Sequence, residues 1–316
     1  TLADARRYLQ AYRDAIHAIG KSGNYIGTDV FAAPSISIKL SALFPRYEHA
    51  KRERVLAELA PAVLELAQLA RSYGIGYTVD AEESDRLELS LDLIEATFSD
   101  PSLEGWEGYG LAVQAYQKRA PFVIDFLADL ARRVGRRMPV RPVKGAYWDA
   151  EVNRAQVEGH PGYPVFTRNP NTDVSYLANA RRMLDNRDAL YPMFATHNAQ
   201  TIAAIRQIAS ILLEKRVTSN EKRVEEGAAA ETSRSSFLST RSSLLAHPVI
   251  RRFLGDLHIV HMAFPLAGTG DGDEARLLLH VLDGRTAHVA HGGAQAADEL
   301  VDDVAHRAAI RHAAFD

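Results

Sequence analysis

The spacing of hydrophobic residues predicts that helices and strands follow one another along the chain. Residues 2–19 carry apolar side chains at helical spacing and are followed by Gly20, so an opening helix is expected. Residues 35–41 alternate polar and apolar side chains, which predicts a first strand. Residues 52–73 have a long helical pattern that ends before Gly74.

The same pair of elements, a strand and then a helix, repeats through the first two-thirds of the chain. Five such units are predicted, with strands at 35–41, 76–80, 110–115 and 190–196, a charged stretch at 138–149, and helices at 52–73, 87–98, 121–134, 174–184 and 199–213. This alternation implies parallel strands joined by right-handed crossovers. It is typical of an open doubly wound sheet or of a closed barrel.

The stretch at 138–149, MPVRPVKGAYWD, is too charged for an ordinary buried strand. Arg141 and Lys144 interrupt its apolar residues, and a buried cation must be paired. The stretch is therefore either a strand that leaves the core and delivers side chains to a site, or an edge strand with solvated cations.

Polar residues stand at the carboxyl ends of most predicted strands. They are Lys39, Asp80, Gln114, Arg141 with Lys144, and His197, and the strand at 76–80 ends in three carboxylates within DAEE. In a barrel all these ends converge on one mouth, whereas an open sheet concentrates its chemistry at one crevice. We therefore predict an α/β fold, a closed (β/α) barrel with an extra N-terminal helix. No GxGxxG or GxxxxGK[ST] motif follows a predicted strand, so those two kinds of phosphate site are not supported.

Composition narrows the range of functions. The chain of 316 residues is 47% hydrophobic and 24% charged, as expected for a globular protein, and its net charge of -3 predicts no nucleic-acid partner. The absence of cysteine excludes disulfides, thiolate metal sites and a cysteine nucleophile. No signal peptide or membrane-spanning run is visible, so we expect a cytoplasmic protein. The first residue is Thr1 and not Met, so a fragment of a longer protein is one expectation.

Lys39 and Asp80 are candidates for a ligand site. Facing each other over a barrel mouth, they would pair and hold an anionic or zwitterionic ligand, and the pairing would lower the pKa of the aspartate. The alternative is that both are solvated residues at strand ends. Lys39 at a strand end could also form a Schiff base, as in class I aldolases.

Four further side chains could serve a cofactor. The amide of Gln114 could donate to and accept from a planar heterocycle, or it could be a hydrogen-bonded core glutamine. Arg141 would stabilise negative charge that arrives on a flavin during hydride transfer. Lys144 could reach ribityl or pyrophosphate oxygens, and His197 could be a base, a donor or a metal ligand. A lone histidine does not make a metal site, so no metal is predicted.

Six ordered motifs within about two hundred residues resemble one family, the proline dehydrogenase domain of bacterial bifunctional proline utilisation enzymes. They are SISIKLSAL at 35–43, VDAEESDRLELS at 79–90, AVQAYQKR at 112–119, VKGAYWD at 143–149, YPVFTR at 163–168 and FATHNAQT at 194–201. The resemblance implies a distorted (β/α)8-type barrel and bound FAD. It also implies oxidation of L-proline, or a similar cyclic amino acid, to Δ1-pyrroline-5-carboxylate. It also implies a membrane quinone as electron acceptor and peripheral association with the inner face of a membrane.

The resemblance also implies roles for individual residues. Lys39, Asp80 and Arg141 would be catalytic, the first two would also bind substrate, and Tyr147 would line the proline pocket. Arg251 and Arg252 would bind the substrate carboxylate, since paired arginines offer planar forks to it. The implied flavin contacts are Gln114, Arg141, Val143, Lys144, Gly145, Ala146, Trp148, Thr167, His197 and Asn198.

We expect one domain over residues 1–316, in which 1–209 match the family and 210–316, the C-terminal third, diverge from it. Residues 214–243 are polar and read as an exposed helix or a flexible segment. A second hypothesis follows from this divergence: a flavin-binding scaffold that has lost substrate turnover.

Overall fold

The computed structural model of the chain describes residues 1–228 and 259–260. Helices and strands alternate through this part. Their bounds are α1 Leu2–Lys21, β1 Ser35–Ile38, α2 Leu40–Leu43, α3 Arg52–Tyr73, β2 Gly76–Val79, α4 Leu87–Phe98, β3 Tyr109–Gln114, α5 Ala120–Val134, β4 Met138–Val143, α6 Trp148–Val157, α7 Asn169–Asp185, β5 Leu190–Pro192, β6 Phe194–Ala195, α8 Ala199–Ala228 and β7 Ile259–Val260. None of the helices in the described part is long and apolar enough to cross a bilayer.

Local signals in the sequence determine where several helices begin and end. The Thr1 hydroxyl accepts a hydrogen bond from the backbone N–H of Asp4 at 3.2 Å, and the Asp4 side chain bonds back to Thr1, so α1 begins with a capping box. α3 and α5 end at Gly74 and Gly135, whose φ angles are 71° and 75°. Glycine adopts this left-handed conformation without the steric cost that other residues meet.

The strands β1 to β5 form one parallel sheet in chain order, and β6 pairs with β7 in a second parallel sheet. The predicted α/β fold with parallel strands is confirmed. The order has no reversal, which is the arrangement found in barrels and differs from that of doubly wound sheets. Among the residues that the structure describes, the strands do not close into a complete barrel.

The two faces of the five-stranded sheet differ in chemistry. The register pairs Ser37 with Thr78, Thr78 with Gly110, and Ala112 with Arg141, so small and polar residues share one face. The opposite face is apolar and joins the helices in the main core, with Ile36, Ile38, Tyr77, Val79, Tyr109, Leu111 and Val140. The polar face is therefore the one available for a site.

The stretch at 138–149 contains β4 and the beginning of α6. β4 pairs with β3 on one side and with β5 on the other. The alternative interpretation as an edge strand is therefore wrong. The helix α6, which begins at Trp148, was not predicted.

Other bounds also differ from the prediction, and α7 begins at Asn169 rather than at 174. The first strand ends at Ile38, because the short helix α2 begins at Leu40. The strand predicted at 190–196 is divided at Met193, whose backbone N–H still donates to the carbonyl of Val140 in β4 at 2.9 Å. The helix predicted at 199–213 continues to residue 228.

Candidate active site

The structure places the predicted polar residues at the carboxyl ends of consecutive strands. Lys39 directly follows β1, Asp80 directly follows β2, and Gln114 is the last residue of β3. Arg141 lies inside β4, and Lys144 directly follows that strand. Because β1 to β4 are parallel neighbours, these five residues lie on the side of the sheet where the strands have their carboxyl ends.

Arg141 reaches from β4 to β1 along the polar face of the sheet. Its guanidinium donates from Nη1 to the Ser37 hydroxyl at 2.9 Å and from Nη2 to the Asp80 carboxylate. Next to Arg141 on this face, β3 carries the small residues Gly110 and Ala112, which leaves room for the long side chain. The Nε atom is buried without a hydrogen-bond partner. A buried donor without a partner is costly, so this atom marks a position that suits an acceptor of a ligand.

Asp80 forms its ion pair with Arg141 and not with Lys39, which corrects the predicted pairing. The Lys39 side chain is exposed, and its charge acts on Asp80 without a direct contact. Burial raises the pKa of Asp80 above its ordinary value of 3.8, although the charges of Arg141 and Lys39 oppose the rise. The predicted lowering of this pKa is wrong, because desolvation of the carboxylate outweighs its attraction to the cations.

Gln114 joins the loops that follow β2 and β4. Its Nε2 atom donates to the carbonyl of Glu82 at 2.8 Å, and its Oε1 atom accepts from the backbone N–H of Ala146 at 2.9 Å. Both ends of the amide are thus bonded within the protein, as the interpretation as a core glutamine expects, and contact of Gln114 with a flavin stays a prediction. The carbonyl of Val143 accepts from the N–H of Ala115 at 2.8 Å, so the ladder between β3 and β4 continues up to this loop.

The loop after β4 is held by contacts on both sides. The Lys144 ammonium pairs with the Asp173 carboxylate in α7. Gly145 has a φ angle of 147° and lies against the Tyr116 ring, with no space for a Cβ atom. Burial and the carboxylates nearby raise the pKa of Tyr147 to about 12, so its phenol stays protonated near neutral pH.

The remaining predicted flavin contacts lie farther along the chain. The Trp148 indole donates to the carbonyl of Phe166 at 2.9 Å, which holds the segment before the exposed Thr167 against the start of α6. His197 is exposed after β6. The Asn198 side chain caps α8 by accepting a backbone N–H of its first turn at 3.0 Å. Their contact with a flavin stays a prediction.

Arg251 and Arg252, the predicted carboxylate pair, lie outside the described residues. The same holds for most of the C-terminal third, so a single domain over 1–316 also stays a prediction. The described part of the polar 214–243 segment begins as the continuation of α8.

Two buried carboxylates next to the site received no role from the sequence. Glu82 accepts from the backbone N–H of Ser41 at 2.9 Å and from Arg86 at 2.8 Å. Glu151 in α6 accepts from the backbone N–H and from the hydroxyl of Ser84, both at 2.5 Å. The cluster of three carboxylates in DAEE could have pointed to Glu82 as part of the site. Glu151 lies in a helix that was not predicted from the sequence, so no such signal was available for it.

Comparison with known proteins agrees with the motifs. A family model described as proline dehydrogenase matches residues 1–226. The bifunctional protein PutA of Klebsiella aerogenes is 57% identical over 209 residues, which cover 66% of this chain and 16% of that protein. PutA of Rhizobium meliloti is 56% identical over 209 residues, which cover 66% of this chain and 17% of that protein.

A solved structure shows the same fold. A mutant of proline utilization A from Bradyrhizobium japonicum aligns with a TM-score of 0.65 at 55% identity, over 66% of this chain and 21% of that one. The chain thus spans about a sixth of the length of the curated relatives it matches. The resemblance that rested on six motifs is confirmed. Since the family model covers well over half of its residues, the chain belongs to the proline dehydrogenase family.

Proposed function

We propose that this chain catalyses the oxidation of L-proline to Δ1-pyrroline-5-carboxylate. Its membership of the proline dehydrogenase family supports this reaction. The observation that carries the proposal is the Arg141 guanidinium, which Asp80 and Ser37 hold in place while its buried Nε–H remains without a partner. A fixed cation with one free donor suits a site where negative charge develops on an electron acceptor.

The residues around Arg141 fit FAD as the cofactor. The free Nε–H suits a ring nitrogen or oxygen of a flavin, and the exposed backbone of Gly145 and Ala146 lies beside the cation of Lys144. FAD supplies an acceptor for a hydride when bound. The residues proposed to hold it are Gln114, Arg141, Val143, Lys144, Gly145, Ala146, Trp148, Thr167, His197 and Asn198.

The proposed substrate side consists of Lys39, Asp80 and Tyr147. Proline must lose a hydride from C5 and a proton from its ring nitrogen, so that a double bond forms between these atoms. Lys39 is exposed at the end of β1 and suits the substrate carboxylate, as would the proposed pair Arg251 and Arg252. Asp80 holds the Arg141 guanidinium in place. The protonated Tyr147 would line the proline pocket and could donate a hydrogen bond there.

The electrons taken from proline need a final acceptor, for which we propose a quinone. The resemblance of the six motifs to the family supports this choice. Because quinones reside in the bilayer, the proposal includes a cytoplasmic protein that contacts the inner face of a membrane peripherally.

Turnover with an artificial acceptor tests the proposed reaction. The purified full chain with FAD should reduce an electron-accepting dye when L-proline is added. Pyrrolidine, which has the same ring without the carboxylate, should react far more slowly, because Lys39 then has no partner in the substrate. Equal rates with the two compounds, or no reduction at all, would contradict the proposal.

The two other hypotheses predict different results. A flavin-binding scaffold would retain flavin and show no turnover with L-proline. A Schiff-base enzyme would be trapped by borohydride on Lys39 in the presence of a carbonyl compound. Such lysines need a desolvated pocket, and Lys39 is exposed, so the geometry does not favour this last hypothesis.

A further inference from the structure

We propose that Glu82 is a positioning residue that holds the segment of Lys39 against the segment of Asp80. The inference rests on the proposed function, in which Lys39 and Asp80 form the substrate side. Glu82 would not contact the substrate itself. It would act by fixing the backbone that carries Lys39.

The carboxylate of Glu82 connects two strand ends. Its side chain is only 3% exposed, and its Oε1 atom accepts from the backbone N–H of Ser41 at 2.9 Å. Ser41 lies two residues after Lys39, and Glu82 lies two residues after Asp80. The bond therefore ties the short helix α2, which begins directly after Lys39, to the loop after β2.

Other contacts hold Glu82 itself in place. Its Oε2 atom accepts from Arg86 at 2.8 Å, which compensates the buried negative charge. Its backbone carbonyl accepts from Gln114, whose other end binds the N–H of Ala146. Glu82 is thus fixed relative to β3 and to the loop after β4, and it can transmit that position to the Lys39 segment.

The Lys39 segment has two other ties near the site. The backbone N–H of Asp80 donates to the carbonyl of Ile38, the residue before Lys39, at 2.8 Å. The backbone N–H of Lys39 donates to the Tyr12 hydroxyl in α1 at 3.0 Å. These two bonds hold the backbone up to Lys39, whereas the Glu82 bond holds the backbone that follows it, where the chain turns into α2. Small displacements of a binding group cost affinity steeply, so loss of the Glu82 bond should weaken substrate binding.

The test compares substitutions of Glu82 in the full chain loaded with FAD. Glu82→Ala removes the acceptor of the Ser41 N–H and should raise the KM for L-proline about tenfold, the usual effect of losing a charged hydrogen bond. Flavin content and kcat should stay close to wild type. Glu82→Gln keeps an acceptor oxygen for Ser41, so its KM should fall between those of wild type and Glu82→Ala.

Glu58→Ala is the matched control. Like Glu82, Glu58 pairs with an arginine four residues away, Arg54, but this pair lies on the exposed surface of α3. The KM of Glu58→Ala should therefore equal that of wild type. A KM for Glu82→Ala equal to that of Glu58→Ala would overturn the inference. Loss of flavin and of kcat together would overturn it too, since Glu82 would then be a general structural residue.

Two further measurements keep the inference testable. If Glu82→Ala does not fold, Ser41→Pro removes the donor while Glu82 remains, and proline is tolerated in the first turn of a helix. It should raise the KM in the same way, and an unchanged KM would overturn the inference. If wild type does not oxidise L-proline, the proposed function fails. Hydrogen exchange at the Ser41 amide then decides about Glu82: faster exchange in Glu82→Ala supports the tie, and unchanged exchange refutes it.

Discussion

Arg141 and Asp80 form an ion pair between strands that are not neighbours in the sheet. Arg141 lies in β4 and Asp80 directly follows β2, so the guanidinium crosses β3 to reach the carboxylate. It also donates to Ser37 in β1 at 2.9 Å. One side chain therefore connects three strands, and the shape of the proposed site depends on it.

Replacement of Arg141 by alanine should slow the reduction of bound flavin by L-proline about a hundredfold, as expected when one donor to developing charge is lost. Flavin content should be retained, because the proposed contacts from residues 143–146 remain. Stopped-flow absorbance under anaerobic conditions measures the rate. Arg133→Ala is the control, since Arg133 is an exposed arginine paired with Glu95 and Asp129. Equal rates in the two variants would remove the role assigned to Arg141.

The titration of Asp80 should make the folded chain less stable as the pH rises. Burial raises its pKa above 3.8, so between 3.8 and the higher folded value the folded state binds more protons than the unfolded state. The unfolding free energy therefore falls as the pH rises through this window. Asp80→Asn lacks this contribution, so the unfolding free energy of the variant minus that of wild type should increase as the pH rises above 3.8. Urea titrations measure this difference, and a flat or falling trend would refute the expected shift.

The Gln114 side chain should contribute to stability through both ends of its amide. Gln114→Leu leaves the Glu82 carbonyl and the Ala146 N–H without partners, which should lower the unfolding free energy by about 1–3 kcal/mol. In Gln68→Leu the change should stay within about 0.5 kcal/mol, because the exposed Gln68 binds only a surface serine. Chemical denaturation of both variants checks the difference. Similar losses of unfolding free energy in Gln114→Leu and Gln68→Leu would contradict the stabilising role of the buried Gln114 bonds.

Gly145 should tolerate no side chain. Gly145→Ala combines a positive φ of 147° with a collision against the Tyr116 ring, whereas Gly105→Ala has a positive φ of 74° and open space around the new Cβ. The strained backbone should lower the unfolding free energy of each variant by about 1–3 kcal/mol. Only Gly145→Ala should lower it further, because of the collision, and should release flavin. Thermal denaturation and flavin absorbance check both effects. Equal melting temperatures with retained flavin would contradict a tight loop here.

The elements with complete local signals could be predicted from the sequence. α3 and α4 have the predicted bounds, since continuous helical spacing defines them and a glycine ends α3. The division of the fifth strand at Met193 could not be predicted, because it depends on where that strand pairs with β4. The beginning of α6 at Trp148 could not be predicted either, because the Tyr147 side chain makes no capping bond that would mark it.

The predicted site residues lie at the expected strand ends, but their partners could not be read from the sequence. Asp80 follows a strand that neighbours both β1 and β3, and only the folded sheet shows that Arg141 reaches it before Lys39 does. The sign of the Asp80 pKa shift failed for the same reason. Pairing alone predicts a lower value, and the extent of burial, which reverses it, is a property of the fold.

The central claim is that the chain transfers a hydride from L-proline to a bound flavin. The most direct test is the absorbance spectrum of the purified chain with FAD before and after anaerobic addition of L-proline. We expect loss of the oxidised-flavin band in wild type. A flavin band that L-proline leaves unchanged would contradict the account.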